Sequence, residues 1–360
     1  MNTRIGVITG GGDCPGLNAV IRAVVKAADR RGWETLGFLG GYDGMLEPLN
    51  YRQIDRREVA GLLQRGGTIL GTANRGRFAA KVGHGETQRI PAAVLDEAKC
   101  SFETLGLSAL ITIGGDGSLS IAQQLHEHGI PIVGVPKTID NDLAATVMTF
   151  GFDSAVACAT DALDRLHSTA ESHRRVMVLE VMGRYAGWIA IYAGIAGGAD
   201  VILIPEIPFR YEGICAKVAE REQAGRHFTI VVVAEGAWPT GGEFVTAGDH
   251  AGDREARLGG VGAQVAAEIE RRTGKETRVV VLGHLQRGGG PTNFDRALCT
   301  LFGTTAVELV AERRFGRMVT YTGAHIDSVP LADAIGQLRR VPLEGSFVRS
   351  ARALGICLGD

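Results

Sequence analysis

The sequence has no apolar run of the roughly 20 residues a helix needs to span a membrane, so no membrane-spanning helix is expected. Its formal charge of −2 gives no basic surface on which nucleic acid would bind. The six cysteines (Cys14, Cys100, Cys158, Cys215, Cys299, Cys357) include no CxxC pair. Neither a structural zinc site nor a disulfide framework is therefore expected, and free, mostly buried thiols in a reducing cytoplasm are. GxGxxG and GxxxxGK[ST] are also missing, which removes the dinucleotide fingerprint and the Walker loop. The opening MNTRIGVITGGG enters a strand directly, so no signal peptide is expected.

Glycine is the residue in excess, with 51 in 360 positions. These glycines follow no fixed repeat, so the composition is not collagen-like. They gather as doublets and triplets at the ends of apolar runs, where backbone must approach another group closely. With 45% hydrophobic and 22% charged residues, a well-packed globular protein is expected. A chain of 360 residues is long for one core, and two domains are the natural expectation.

Short β-type runs alternate with helical patterns. RIGVIT (4–9) leads through glycines into GLNAVIRAVVKAADRRG (16–32), where Leu17, Val20, Ile21, Val24 and Val25 form one apolar side of a helix. ETLGFLG (34–40), ALITIGG (109–115) and IPIVGVP (130–136) read as further strands, with a helix over SLSIAQQLHEHG (118–129). A second series runs RVMVLEVMG (175–183), ADVILIPE (199–206), FTIVVVAEG (228–236) and TRVVVLGHLQRGG (277–289). Near-continuous apolar strands separated by helices predict parallel sheets covered on both faces. Two such series predict two α/β units with a boundary near residue 150. In open parallel sheets, ligands sit at the carboxyl ends of strands. Those ends carry Gly10–Asp13, Gly114–Ser118, Lys137–Asp142, Met182–Arg184, Glu235 and His284–Arg287.

TGGGDCPGLN (9–18) follows a strand and opens a helix, so its N–H groups and the helix N-terminus can face a phosphate; a tight structural turn is the plainer alternative. IGGDGSLS (113–120) repeats the arrangement and adds Asp116, a hard oxygen ligand suited to Mg²⁺, while Ser118 could simply cap the helix. In PKTIDND (136–142), extended backbone would point Asp140 and Asp142 to one side and Asn141 to the other. One carboxylate could then act as base and the other help hold metal, with Lys137 and Thr138 on phosphate oxygens. An Asx-rich turn explains Asn141 and Asp142 but not Lys137 or Asp140. In SHRRVMVLEVMGRYAGW (172–188), Arg174 and Arg175 precede a strand and Arg184 follows it. A five-residue strand spans roughly 17 Å, so one end serves a different site or a neighbouring chain. The same holds for Arg278 against His284 and Arg287 in the segment 276–296.

Together, GVITGGGDCPGLNAVIR, GGDGS, PKTIDND, EVMGRYAGW, AGGAD and VLGHLQRGG closely resemble the bacterial type of 6-phosphofructokinase, over nearly the whole chain. The resemblance implies two Rossmann-like three-layer α/β/α domains with mostly parallel sheets and an active site in the cleft between them. Residues 1–151 with about 286–335 would form the phosphoryl-donor domain. Residues 152–285 with about 336–360 would bind fructose 6-phosphate. It implies transfer of a phosphoryl group to the sugar 1-hydroxyl, with Asp140 as base and Asp116 on Mg²⁺. Gly12, Gly115, Asp116, Gly117, Ser118, Lys137 and Thr138 would surround the donor, with Arg75 or Asn74, or else Arg77, reaching its phosphates. Arg184 would stabilise the transferring group. Thr138, Ile139, Asp140, Met182, Gly183 and Glu235 would contact the sugar. Arg175, Arg278, His284 and Arg287 would clamp the 6-phosphate, the first two from an adjacent subunit of a homodimer or homotetramer.

The resemblance divides on the donor. Gly117 follows the ATP-using pattern, in which no side chain blocks the nucleotide, whereas Lys137 follows the pyrophosphate pattern. An aspartate at 117 would exclude ATP, while a lysine at 137 excludes nothing, so ATP is expected and pyrophosphate is the alternative. Arg22, Lys26 and Arg56 keep the basic character of the family's effector site. His167 stands where an arginine is usual and Asp200 where a glutamate is, so weak effector control is expected. A nicotinamide oxidoreductase would need the missing GxGxxG, and a non-catalytic sugar-phosphate sensor would lack Asp140 or Arg184.

Overall fold

Two α/β units make up the chain. The computed structural model describes residues 3–73, 76–78, 81–82, 86–87, 89–242 and 259–360. The first unit takes in residues 1–139, 143–154 and 287–337, and the second takes in 140–142, 155–286 and 338–360. In chain order, the first unit opens with β1 (Arg4–Thr9), α1 (Leu17–Arg30), β2 (Glu34–Phe38), β3 (Tyr51–Gln53), β4 (Lys81–Val82) and β5 (Glu86–Thr87). α2 (Ala92–Thr104), β6 (Ala109–Gly114), α3 (Asp116–Glu127) and β7 (Ile132–Pro136) follow. α4 (Phe152–His173) then leads into the second unit, with β8 (Val176–Val181), α5 (Trp188–Ala196), β9 (Val201–Leu203), α6 (Tyr211–Gln223), β10 (Thr229–Ala234), α7 (Val261–Thr273) and β11 (Thr277–Val281). The chain returns to the first unit for α8 (Asn293–Ala311), β12 (Arg317–Tyr321), β13 (Ile326–Pro330) and α9 (Leu331–Ala334), and ends in the second with α10 (Ser346–Ala353).

The first unit holds a seven-stranded sheet of order β13-β12-β7-β6-β1-β2-β3, antiparallel only at its two edge pairs. The second holds a four-stranded, all-parallel sheet of order β11-β8-β10-β9. Every residue of β6, β7, β8 and β10 is buried, as strands covered on both faces require. The apolar side foreseen for α1 is its buried face. It packs on α8, where a Cβ at Gly303 would stand only 2.6 Å from Ala23 Cβ. Cutting a buried residue of that stripe such as Ile21 to Ala costs about 2–5 kcal/mol.

Three expectations need correction. The run 199–206 contributes a strand only over Val201–Leu203, because Pro205 cannot donate to a ladder. The run 277–289 is strand only to Val281; Gly283, at φ 46°, turns it into one 3-10 turn over Gly283–Arg287. All six thiols are free, but only Cys14 and Cys299 are buried, Cys100 is exposed and three are half-buried. None of the described helices is long and apolar enough to cross a membrane.

Two buried carboxylates anchor helix starts. Glu180, in the middle of the sheet and 3% exposed, accepts the N–H groups of Gly262 (2.8 Å) and Gly260 (3.3 Å) at the start of α7. The helix N-terminus thereby offsets the desolvation of that charge. In the first unit, Thr292 caps α8 by accepting from Asp295 N–H (3.3 Å), and Asp295 Oδ2 accepts the Ser154 N–H (2.9 Å) and hydroxyl (2.6 Å).

Burial pushes the Asp295 carboxyl from 3.8 up to about 6, and the Ser154 donors only partly oppose this. Between those values the native chain keeps a proton that the unfolded chain has lost. The stability this supplies is complete below the lower value and disappears as pH rises through the upper one, a change of about 3 kcal/mol. Asp295→Asn lacks that dependence. The parent's stability relative to the variant should therefore shrink between about pH 4 and about pH 7, read from urea unfolding. A difference that grows over this range contradicts the assignment.

Candidate active site

Parallel register sets the functional turns of the first unit side by side. Thr9 of β1 lies opposite Ile113 of β6, and Gly114 of β6 lies opposite Pro136 of β7. Gly10 N–H then donates to Ile113 O (2.9 Å) and Lys137 N–H to Gly114 O (2.9 Å), so three adjacent strand ends release Gly10–Asp13, Gly115–Ser118 and Lys137–Thr138 together. The segment 66–72 is tied to the same corner. Thr72 Oγ1 donates to Gly11 O (2.5 Å), and Asn18 accepts from Ile69 N–H (2.8 Å) while donating to Gly66 O (3.0 Å). Asn74 and Arg75, which follow it, lie outside the described residues. Arg77 is exposed and bound to Glu97 (2.6 Å).

Two cations brace the first glycine turn. Lys137 is 4% exposed and donates its ammonium to the Gly12 carbonyl. Arg287 donates to Asp13 O (3.1 Å), and a Cβ at Gly12 would stand 2.9 Å from its guanidinium, so that position has no room for a side chain. Arg287, expected beside a sugar 6-phosphate, makes these contacts to the Gly12–Asp13 turn. Asp116 begins α3, and its Oδ1 accepts Gly336 N–H (2.9 Å). Among the described residues no three His, Cys, Asp or Glu side chains form a metal cage. One hard carboxylate at a glycine-rich strand end would fit Mg²⁺ that arrives with phosphate oxygens, since that ion keeps several waters and uses one or two carboxylates. Gly117 is the second residue of α3.

The backbone after β7 departs from the extended path expected for it. Asn141 has φ 51°, so the alternation that would put Asp140 and Asp142 on one side does not apply. Thr138 O accepts the Thr149 hydroxyl (2.7 Å), Ile139 is buried, and the chain passes into the second unit at Asp140.

In the second unit, β8 and β10 end in register, Val181 opposite Ala234, which sets Met182–Arg184 beside Glu235. Met182 N–H is held by the buried Gln286 (2.7 Å), a residue the motifs did not single out. Arg184 lies over the Tyr185 ring (5.3 Å). Gly236 is required there, because a Cβ would stand 2.0 Å from Arg184 O. His284 lies in the turn after β11 and is exposed. Arg175 and Arg278 occupy the opposite ends of these strands. Glu276 ion-pairs with both, at 2.8 Å to Arg175, and those arginines hold its carboxyl below the usual range.

Of the effector-type positions, Arg22 is half-buried and Lys26 exposed on α1, and Arg56 pairs with Asp29 (3.5 Å). His167 contacts Gly197 O (2.7 Å). Asp200 pairs with Arg221 (2.5 Å) and accepts Ile230 N–H (2.9 Å), while burial raises its carboxyl above the usual range.

Two parallel-sheet units, one with glycine turns and a carboxylate at its strand ends and one with an arginine and a glutamate there, define an α/β protein built to handle phosphate groups. A family model described as Phosphofructokinase matches residues 4–310. A Chloroflexus aurantiacus protein named ATP-dependent 6-phosphofructokinase is 54% identical over 357 residues, covering 99% of this chain and 98% of its own. An Amycolatopsis methanolica protein named pyrophosphate–fructose 6-phosphate 1-phosphotransferase is 52% identical over 343 residues, covering 95% and 97%. The structure is similar to that of Pichia pastoris phosphofructokinase, with TM-score 0.80 and 32% identity over 93% of this chain; the match covers 35% of that longer chain. The chain belongs to the phosphofructokinase family.

Proposed function

We propose that this chain is a cytoplasmic enzyme that transfers the terminal phosphoryl group of Mg-ATP to the 1-hydroxyl of fructose 6-phosphate, giving fructose 1,6-bisphosphate. The observation that carries the reading is what stands at the strand ends. The first unit offers glycine turns with Asp116, and the second offers Arg184 and Glu235 together with Asp140. Gly12, Gly115–Ser118 and Thr138 bind the donor phosphates. Lys137 acts by holding the Gly12 carbonyl, and so shapes the turn without excluding a nucleotide. Asp116 would hold magnesium, which would supply charge neutralisation to the donor phosphates. Asp140 takes the proton of the 1-hydroxyl as that oxygen forms its bond to the terminal phosphorus and the bond to the bridging oxygen breaks, releasing ADP. Arg184 stabilises the charge on the migrating group. Met182, Gly183 and Glu235 orient the sugar, with Ile139 as the buried support of the base and His284 and Arg287 on the 6-phosphate.

Arg175 and Arg278 serve a neighbouring copy. They stand at the strand ends opposite Arg184. β11 is an edge strand whose last residue, Val281, is 55% exposed and is followed by Leu285 at 68%, a surface suited to covering by a second chain. The enzyme is accordingly a homo-oligomer, at least a dimer. A pyrophosphate donor is the second reading, favoured by Lys137; Gly117 argues against it because nothing there obstructs the nucleotide.

Initial rates with fructose 6-phosphate and either ATP or pyrophosphate, taken across a dilution series followed by light scattering, test both points. ATP should support turnover, and turnover should fall as the oligomer separates. Activity confined to pyrophosphate overturns the donor assignment, and full activity in single chains overturns the shared site.

A further inference from the structure

The two carbonyls that follow Asp140 are both held by one residue near the C-terminus. Arg339 donates its main-chain N–H to Asp142 O (2.8 Å) and a guanidinium N–H to Asn141 O (3.2 Å). Arg339 is itself gripped. Its guanidinium lies over the Trp188 ring (4.3 Å), and the Trp188 indole N–H donates to Arg339 O (2.9 Å). A second tie runs parallel to this one, because Glu206 Oε1 accepts both Val341 N–H (2.8 Å) and Gly187 N–H (3.1 Å). The segment 339–341 therefore joins the loop carrying Asp140 to the turn that carries Arg184. All of these residues belong to the second unit.

The loop needs such a brace. Asn141 is buried and sits at φ 51°, a conformation that asparagine adopts more readily than other side-chain-bearing residues but that remains less favoured than the ordinary negative-φ region. Released from Arg339, Asn141 can relax towards the ordinary negative-φ region and swing the Asp140 carboxylate with it. General-base transfer needs that carboxylate within hydrogen-bond reach of one hydroxyl, and a displacement of about 1 Å can cost about a hundred-fold in rate.

We infer that Arg339 is a positioning residue for phosphoryl transfer, fixing the backbone that presents Asp140 and linking it to the Arg184 turn. The inference rests on the reading of Asp140 as the base. Arg339→Met keeps much of the stacking on Trp188 and removes the guanidinium donor. Its kcat should fall at least about twenty-fold with both KM values within about three-fold of the parent. Arg339→Lys keeps a cation over Trp188 without the fork, and should recover part of that loss. Trp188→Phe keeps a ring under the guanidinium, loses the indole N–H and should lower kcat several-fold. Val348→Ala, a buried change in α10, loosens the same C-terminal stretch without touching these bonds and should leave kcat near the parent value.

The inference is overturned if Arg339→Met turns over within two-fold of the parent, or if Val348→Ala loses as much kcat at a comparable fall in melting temperature. Should Arg339→Met fail to fold, Arg339→Lys and Trp188→Phe decide, and unchanged kcat in both overturns it. Asp140→Asn separates the two claims. An active Asp140→Asn defeats the base assignment itself, whereas an inactive one beside a normal Arg339→Met defeats only the positioning role.

Discussion

Asp140→Asn lowers kcat by about a thousand-fold while leaving the KM for fructose 6-phosphate within a few-fold, the middle of the range for removing a positioned general base. Asparagine has the volume of aspartate and accepts a hydrogen bond, but it cannot take a proton at neutral pH. The sugar phosphate should still bind through Arg184, Glu235 and the 6-phosphate cations, because all of those groups remain in the variant. Steady-state kinetics in both substrates, with equilibrium sugar-phosphate binding measured separately, checks this. A kcat within ten-fold of the parent removes Asp140 from the chemistry. A large rise in KM with kcat preserved makes it a binding group.

Gly117→Asp should cut kcat/KM for ATP by at least about a hundred-fold and leave any pyrophosphate-supported rate unchanged or raised. Two effects add. A carboxylate about 5 Å from a nucleotide phosphate at an effective dielectric constant near 20 costs about 3 kcal/mol, which alone is about two orders of magnitude. The side chain also adds bulk at a position where glycine has none. Folding should not suffer, since position 117 lies in the first turn of α3, where a negative charge suits the helix N-terminus. Rates with both donors on parent and variant are the measurement. ATP turnover surviving within ten-fold shows that Gly117 is not what admits the nucleotide.

The clustering of glycine and charged residues at the strand ends was legible in the sequence because buried parallel strands favour it. Continuous burial along β6, β7, β8 and β10 leaves Glu180 as the one charged side chain within those strands, so Asp116, Lys137, Arg184 and Glu235 announce themselves by ending apolar runs. The opposed placement of Arg175 and Arg184 followed from strand length alone, and the structure keeps them at opposite ends of β8. The left-handed Asn141 was not legible, since Ile-Asp-Asn-Asp suits an extended segment as well as a turn. Nor was Arg339, which reads as one of two adjacent arginines on a polar stretch.

The sequence by itself determined the alternation of strands and helices, the parallel character of both sheets and which strand ends carry glycine turns, because hydrophobic period and glycine placement are local properties of the chain. Only the tertiary structure decided which distant residues hold those turns. Arg339 meets Asn141 across 198 positions, Arg287 meets Asp13 across 274, and Glu180 meets Gly262 at the start of α7 across 82. Each of those contacts is a charge or donor meeting a backbone group. Backbone carbonyls and N–H groups are alike at every position, so no residue pattern can mark which of them a side chain will find until the chain has folded.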